Sequence, residues 1–117
     1  MLAVGDYFTC AIGTRPDNQI KIFCFGNNDQ GQLDISRQNI SMDYTKALTA
    51  GGAHACVIHL SEGVLCWGSD RVGQSSVPKD ALRLAANISA RDEFTCIIVF
   101  ETRNIRCWGS WTSVNKI

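Results

Sequence analysis

Apolar positions fall in short runs separated by turn residues, and the runs come in pairs. Ala11-Ile12 and Ile22-Phe23-Cys24-Phe25 flank Arg15-Pro16-Asp17-Asn18. Cys56-Val57-Ile58 and Val64-Leu65-Cys66-Trp67 flank Ser61-Glu62-Gly63. Cys96-Ile97-Ile98 and Ile105-Arg106-Cys107-Trp108 flank Glu101-Thr102. Runs this short, rich in β-branched and aromatic residues and bounded by turn formers, predict β-hairpins. Helical periodicity is weak throughout. The best helical stretch, Pro78-Lys79-Asp80-Ala81-Leu82-Arg83-Leu84-Ala85-Ala86, is short and reads as a connection leading into a strand.

The hairpins repeat one another. Val4-Gly5-Asp6-Tyr7-Phe8-Thr9-Cys10-Ala11-Ile12 aligns with Ala50-Gly51-Gly52-Ala53-His54-Ala55-Cys56-Val57-Ile58 and with Ala90-Arg91-Asp92-Glu93-Phe94-Thr95-Cys96-Ile97-Ile98. Phe25-Gly26, Trp67-Gly68 and Trp108-Gly109 follow the second cysteine of each copy, and Gly31-Gln32 matches Gly73-Gln74. The first cysteines recur at intervals of 46 and 40 residues and the second at 42 and 41. The period defines three units, residues 3–49, 50–89 and an incomplete 90–117.

Six cysteines sit at matched places in these units. Their spacing lacks the two-to-four-residue knuckle of a structural zinc site, so no metal is expected. The index midpoint of Cys10 and Cys24 is Asp17, that of Cys56 and Cys66 is Ser61, and that of Cys96 and Cys107 falls between Glu101 and Thr102, in a two-residue turn. Each midpoint lands on the turn that composition picks independently. Residues opposed across a non-hydrogen-bonded position lie about 4.5 Å apart at Cα, close enough for a disulfide. The expected bonds are Cys10–Cys24, Cys56–Cys66 and Cys96–Cys107; the alternative is six buried thiols acting as small hydrophobes.

Composition narrows the class. The 117 residues carry 11 basic and 11 acidic side chains, so the chain lacks the surplus that nucleic-acid binding needs. No stretch approaches the roughly 18 apolar residues of a membrane span. Met1-Leu2-Ala3-Val4 is too short for a secretory signal, so an extracellular chain is expected to be a mature or excised part.

Gly51-Gly52-Ala53-His54-Ala55-Cys56, Gly63-Val64-Leu65-Cys66-Trp67-Gly68 and Gly73-Gln74 together resemble a repeat of the regulator of chromosome condensation family. The paired cysteines are similar to those of Crinkly-type receptor kinase ectodomains and related secreted propellers. The resemblance covers about residues 3 to 110 and implies an all-β fold: a seven-bladed β-propeller with blades of four antiparallel strands, each here stapled by a disulfide within its hairpin. Three blades are fewer than the roughly four to eight that close a ring, so the chain is read as a partial propeller. Its expected partners are further propeller repeats, on the same polypeptide or in a homo-oligomer. Three positions depart from the pattern. Phe25 replaces the tryptophan of unit one, Arg91 replaces a glycine in unit three, and Ser110-Trp111-Thr112-Ser113-Val114 stands where Gly-Gln is due.

Candidate chemistry is sparse. The sequons Asn39-Ile40-Ser41 and Asn87-Ile88-Ser89 sit at equivalent places, and with paired cysteines they point to an extracellular or cell-surface setting. His54 shares its position with Phe8 and Phe94 and reads as a packing or turn residue, while His59 is placed at a solvated hairpin end. No nucleophile-base pairing recurs, so no catalytic residue or cofactor is expected. Asn27-Asn28-Asp29-Gln30-Gly31 resembles a calcium loop without its closing glutamate and reads as a turn. Trp67 and Trp108 are expected in the core; Trp111 falls outside their column and is the candidate contact residue. The leading expectation is a non-enzymatic extracellular module that binds a protein or glycan, or builds an assembly. The alternative, implied by the family's founding member, is guanine-nucleotide exchange on a small GTPase.

Overall fold

The structure, a computed structural model, describes residues 1–37, 42–81 and 85–110. Its regular elements are strands β1 (Leu2–Val4), β2 (Phe8–Thr14), β3 (Ile20–Gly26), β4 (Thr45–Ala50), β5 (His54–His59), β6 (Gly63–Gly68), β7 (Ala85–Arg91), β8 (Phe94–Val99) and β9 (Ile105–Gly109). Two short 3-10 turns, Asp34–Arg37 and Met42–Tyr44, join β3 to β4. Pairing is antiparallel throughout and produces three sheets, β1-β2-β3, β4-β5-β6 and β7-β8-β9.

The family resemblance implies four strands per blade; each sheet has three. The segments after Gly26 and Gly68 close on themselves through side-chain bonds. Asn28 accepts the Leu33 amide at 2.8 Å, and Asp70 accepts the Ser75 amide at 3.0 Å. Side chains of this kind compete with a strand ladder for the backbone. Each sheet also draws its first strand from residues ahead of the Gly- or Arg-containing turn, so β4 straddles position 49/50 and β7 straddles 89/90.

Register follows the cysteines. Cys10 faces Cys24, Cys56 faces Cys66 and Cys96 faces Cys107, each pair 4.1 Å apart at Cα and joined by a disulfide. Asn27 donates to Tyr7, Ser69 to Ala53 and Ser110 to Glu93 in the flanking hydrogen-bonded pairs. Counting from these pairs puts every cystine at a non-hydrogen-bonded site, where side chains come closest. The third turn differs from the two-residue expectation. Val99 pairs with Asn104 through backbone hydrogen bonding and Phe100–Arg103 form a four-residue loop, with Arg103 at φ 62°.

Alternation gives each sheet two faces. One carries the cystine; the other carries Phe25, Trp67 or Trp108 at the matched position of the last strand. The cystine face of sheet one packs on the tryptophan face of sheet two, gathering Phe8, Cys10 and Ile12 against Ala55, Val57 and Trp67. The cystine face of sheet two packs likewise on sheet three, with Cys56, Ile58 and Val64 against Ile88, Ile97 and Trp108. The first strands, β1, β4 and β7, lie against one another on one side of the stack. Two glycines explain how the sheets approach. A Cβ at Gly5 would lie 2.1 Å from the Phe8 ring and one at Gly51 would lie 2.3 Å from the His54 ring. At the same place in unit three stands Arg91, and Phe94 is only half-buried.

Candidate functional site

The two joints inside the stack are built by one device. Gly31 and Gly73 adopt φ of 81° and 84°, turning the chain so that the following glutamine points back into its own loop. The Gln32 side chain accepts the Gln30 amide at 2.8 Å, and Gln74 accepts the Val72 amide at 3.1 Å. Their amide groups reach Asn27 and Ser69, respectively. The loop so fixed presents its glutamine carbonyl to the next sheet. Trp67 donates its indole N–H to the Gln32 carbonyl at 2.8 Å, and Trp108 donates to the Gln74 carbonyl at 2.9 Å. Sequence reasoning noticed the repeated Gly-Gln without a role for it. Its recurrence beside a recurring tryptophan was the available signal; the bond itself uses a backbone atom and leaves no residue-type trace.

The second joint adds a polar chain. The Thr95 hydroxyl lies 3.1 Å from the Gln74 carbonyl and 2.7 Å from His54 Nε2, so it bridges the two. The His54 Nδ1 is buried with no hydrogen-bond partner among the described residues. Burial drives the His54 pKa down from 6.5 to about 4, against weaker opposing effects of the Phe94 backbone and the Asp70 carboxylate. The ring is neutral at pH 7 and serves as a structural contact.

His59, expected in solvent, is buried instead. Its Nδ1 accepts from the Ser61 and Glu62 amides and pairs with the Ser61 hydroxyl, closing the second hairpin loop. Tyr44 packs edge-on against it at 6.2 Å. In Asn27–Asp34 the side chains bond one another and the backbone, as a turn requires. Among the described residues no group of three or more His, Cys, Asp or Glu is placed to hold a metal ion.

The outer faces of the stack are the exposed candidates. On the tryptophan-type face of sheet one, Phe25 is 59% exposed and Leu2 68%. On the cystine-type face of sheet three, Ile105 is 73% exposed. Asn87 lies on that same face beside Ile98 and is exposed. Asn39 and Trp111 lie outside the described residues. No helix among those residues is long and apolar enough to cross a membrane.

Residues 46–74 match the regulator of chromosome condensation (RCC1) repeat. Over 98 residues the chain is 29% identical to human "Probable E3 ubiquitin-protein ligase HERC4", covering 74% of this chain and 9% of that protein. The ectodomain of the Physcomitrella patens receptor kinase CR4 superposes with a TM-score of 0.71 at 27% identity, over 92% of this chain and 28% of that one. The CRINKLY ectodomain of the Arabidopsis thaliana receptor kinase ACR4 has a TM-score of 0.56 at 20% identity, over 92% of this chain and 34% of that one, a likeness of fold alone. The chain is thus similar to RCC1-type propeller repeats, Crinkly-type ectodomains among them, and it spans a small part of each relative.

Proposed function

We propose that the chain is a non-enzymatic extracellular or cell-surface module. It binds a protein or glycan partner, or contributes to an assembly, through loops held on a rigid stack of sheets. The observation that carries this reading is the cystine repeated at one register in all three sheets. Stable disulfides of this kind belong to oxidising compartments. Likeness to the receptor kinase CR4 ectodomain supports the same setting. The hairpin loops differ in length and sequence while the sheets repeat, which is how rigid scaffolds carry variable contacts.

Asn39 and Asn87 are proposed glycan acceptors, and Trp111 a contact residue. Asn87 is exposed on the single chain, but its face is the one a further blade would cover. A glycan at Asn87 and a blade on that face therefore exclude each other. Fractionation of the native source with non-reducing peptide mapping and glycosidase treatment tests the reading. Recovery outside the cell with all three cystines formed is the expected result; a cytosolic protein with free thiols overturns it. Exchange activity on a small GTPase rests on the family resemblance alone, and a nucleotide-release assay measures it directly.

A further inference from the structure

The joint between sheets two and three has at its centre a side chain that can take up a proton. His54 opens β5 and is fully buried. Its Nε2 is held at 2.7 Å from the Thr95 hydroxyl, and its Nδ1 has no hydrogen-bond partner among the described residues. The ring lies hard against the turn between β4 and β5, where a Cβ on Gly51 would come within 2.6 Å of Nδ1. An imidazolium carries an N–H on each ring nitrogen. Charging a ring that is out of water and unpartnered at Nδ1 is unfavourable. The first joint holds Phe8 and Ala55 at the matched places, and neither side chain titrates.

The charges around His54 do not rescue the protonated ring. Asp70, in the loop after β6, favours it, but that carboxylate is exposed and already accepts from Ser75 and Ser76. On β8 the Phe94 backbone acts in the same direction, and burial outweighs both. Arg91 and Asp92, at the turn between β7 and β8, pair with each other in solvent at 3.9 Å. Asp6, at the turn between β1 and β2, lies over Gly52, where a Cβ would meet its carboxylate at 3.1 Å.

We infer that the second joint is an acid-operated hinge: His54 takes up its proton by leaving the joint, so that sheet three parts from sheet two while sheets one and two stay packed. Parting bares Ile58, Val64, Ile97 and Trp108, an apolar surface hidden at neutral pH, and frees the Gln74 carbonyl. Both sides of this joint lie inside the stack. What covers the outer faces of sheets one and three therefore does not enter, and neither does the binding function proposed above. The closed joint holds the His54 pKa at about 4, against 6.5 in water, so the parted form binds the proton first as pH falls. The joint keeps its full strength above pH 6.5 and loses it between 6.5 and about 4. From pH 7 to pH 4.5 the ratio of parted to closed forms should rise about 50-fold.

Each joint has its own reporter. The Trp67 indole N–H bonds across the first joint to Gln32, and the Trp108 indole N–H across the second to Gln74. Hydrogen exchange of these two protons, followed by NMR on the full chain with its cystines formed, reads the joints separately. Their ratio cancels the pH dependence of indole exchange itself. Between pH 7 and pH 4.5 the Trp108 proton should lose protection about 50-fold relative to the Trp67 proton. In His54→Phe/Thr95→Ala, which puts the Phe8–Ala55 arrangement into the second joint, that relative loss should vanish although His59, Asp70 and Asp92 are left in place. His54→Gln keeps an N–H donor for Thr95 without an ionisable ring; it should behave alike, and it decides the matter if the double variant fails to fold. A Trp108-to-Trp67 ratio that does not move with pH overturns the inference, as does a relative loss that persists in a folded variant.

Discussion

At the first joint of the stack the ring over the glycine is Phe8, and it shares an apolar cluster with Ala55. At the second joint the equivalent ring is His54, and the residue aligned with Ala55 is Thr95, which completes a hydrogen-bonded chain to Gln74. Thr49 extends the polar character by accepting the Ala90 amide at 2.9 Å, across from β4 to β7. One backbone arrangement thus carries two chemistries, provided both partners change together: ring with methyl in one case, imidazole with hydroxyl in the other. The pairing shows that the joint, rather than the single sheet, is the unit that sequence must satisfy.

Removing the tryptophans tests that idea most severely. Trp67→Ala and Trp108→Ala should each cost about 3–5 kcal/mol, as for large buried aromatics elsewhere. The consequences should differ in place. Trp67 joins sheets one and two, so its loss should open β1, β2 and β3 first while β4 to β9 keep protection. Trp108 holds a terminal sheet, so hydrogen exchange should show β7, β8 and β9 opening while β1 to β6 keep protection. Equal loss of protection everywhere would show that the joints are not separable.

Acid should divide the joints next. His54 has a folded pKa of about 4 against an ordinary 6.5, so the unfolded chain binds the proton first as pH falls. Its contribution is fully present above pH 6.5 and is lost between 6.5 and about 4, amounting to about 3 kcal/mol. Urea titrations at pH 7 and pH 4 measure it. In His54→Phe/Thr95→Ala, which copies the Phe8–Ala55 arrangement of the first joint, the drop over that pH window should shrink by about this amount. An unchanged pH dependence would place the acid sensitivity elsewhere.

Much of this design is legible in the sequence, and the rest is not for physical reasons. Cystine partners emerged because an antiparallel hairpin obeys a fixed midpoint, and Asp17, Ser61 and the Glu101–Thr102 pair marked it independently. The role of Gln32 and Gln74 did not, because the contact that matters is a carbonyl. The burial of His59 was also hidden: a loop amide pair and Tyr44 cover it, and neither has a periodic signature. The strand count was an expectation of the resemblance. Each sheet has three strands among the described residues, and the segments Asn27–Asp34 and Ser69–Ser76 are held as turns by their own side chains.

Cystine deletion separates interior from end. Replacing both cysteines of any pair by alanine should cost at most about 3 kcal/mol, because the closed loops are short and similar in length. Reduction of the folded protein should be selective, however. Cys10 and Cys56 are fully buried, whereas Cys96 and Cys107 lie half-covered on the outer face of sheet three. Exchange requires a thiolate to reach sulfur, so Cys96–Cys107 should open first under limiting reductant. Alkylation with mass mapping gives the order, and early loss of Cys56–Cys66 would contradict the packing of sheet two on sheet three.

The finest distinction lies in the carbonyls. Trp67→Phe and Trp108→Phe remove the same ring and the same N–H, and the two indoles are equally deep. Yet the Gln74 carbonyl also receives the Thr95 hydroxyl, whereas the aligned Ala55 has no hydroxyl to offer Gln32. A buried acceptor stripped of its donor costs about 1–3 kcal/mol, and one that retains a second donor costs less. Trp67→Phe should therefore be the more damaging by about 1 kcal/mol, and Ala55→Thr in that background should recover part of the gap. Equal costs for the two phenylalanine variants would mean that ring volume, and not the indole-carbonyl bond, holds the joints together.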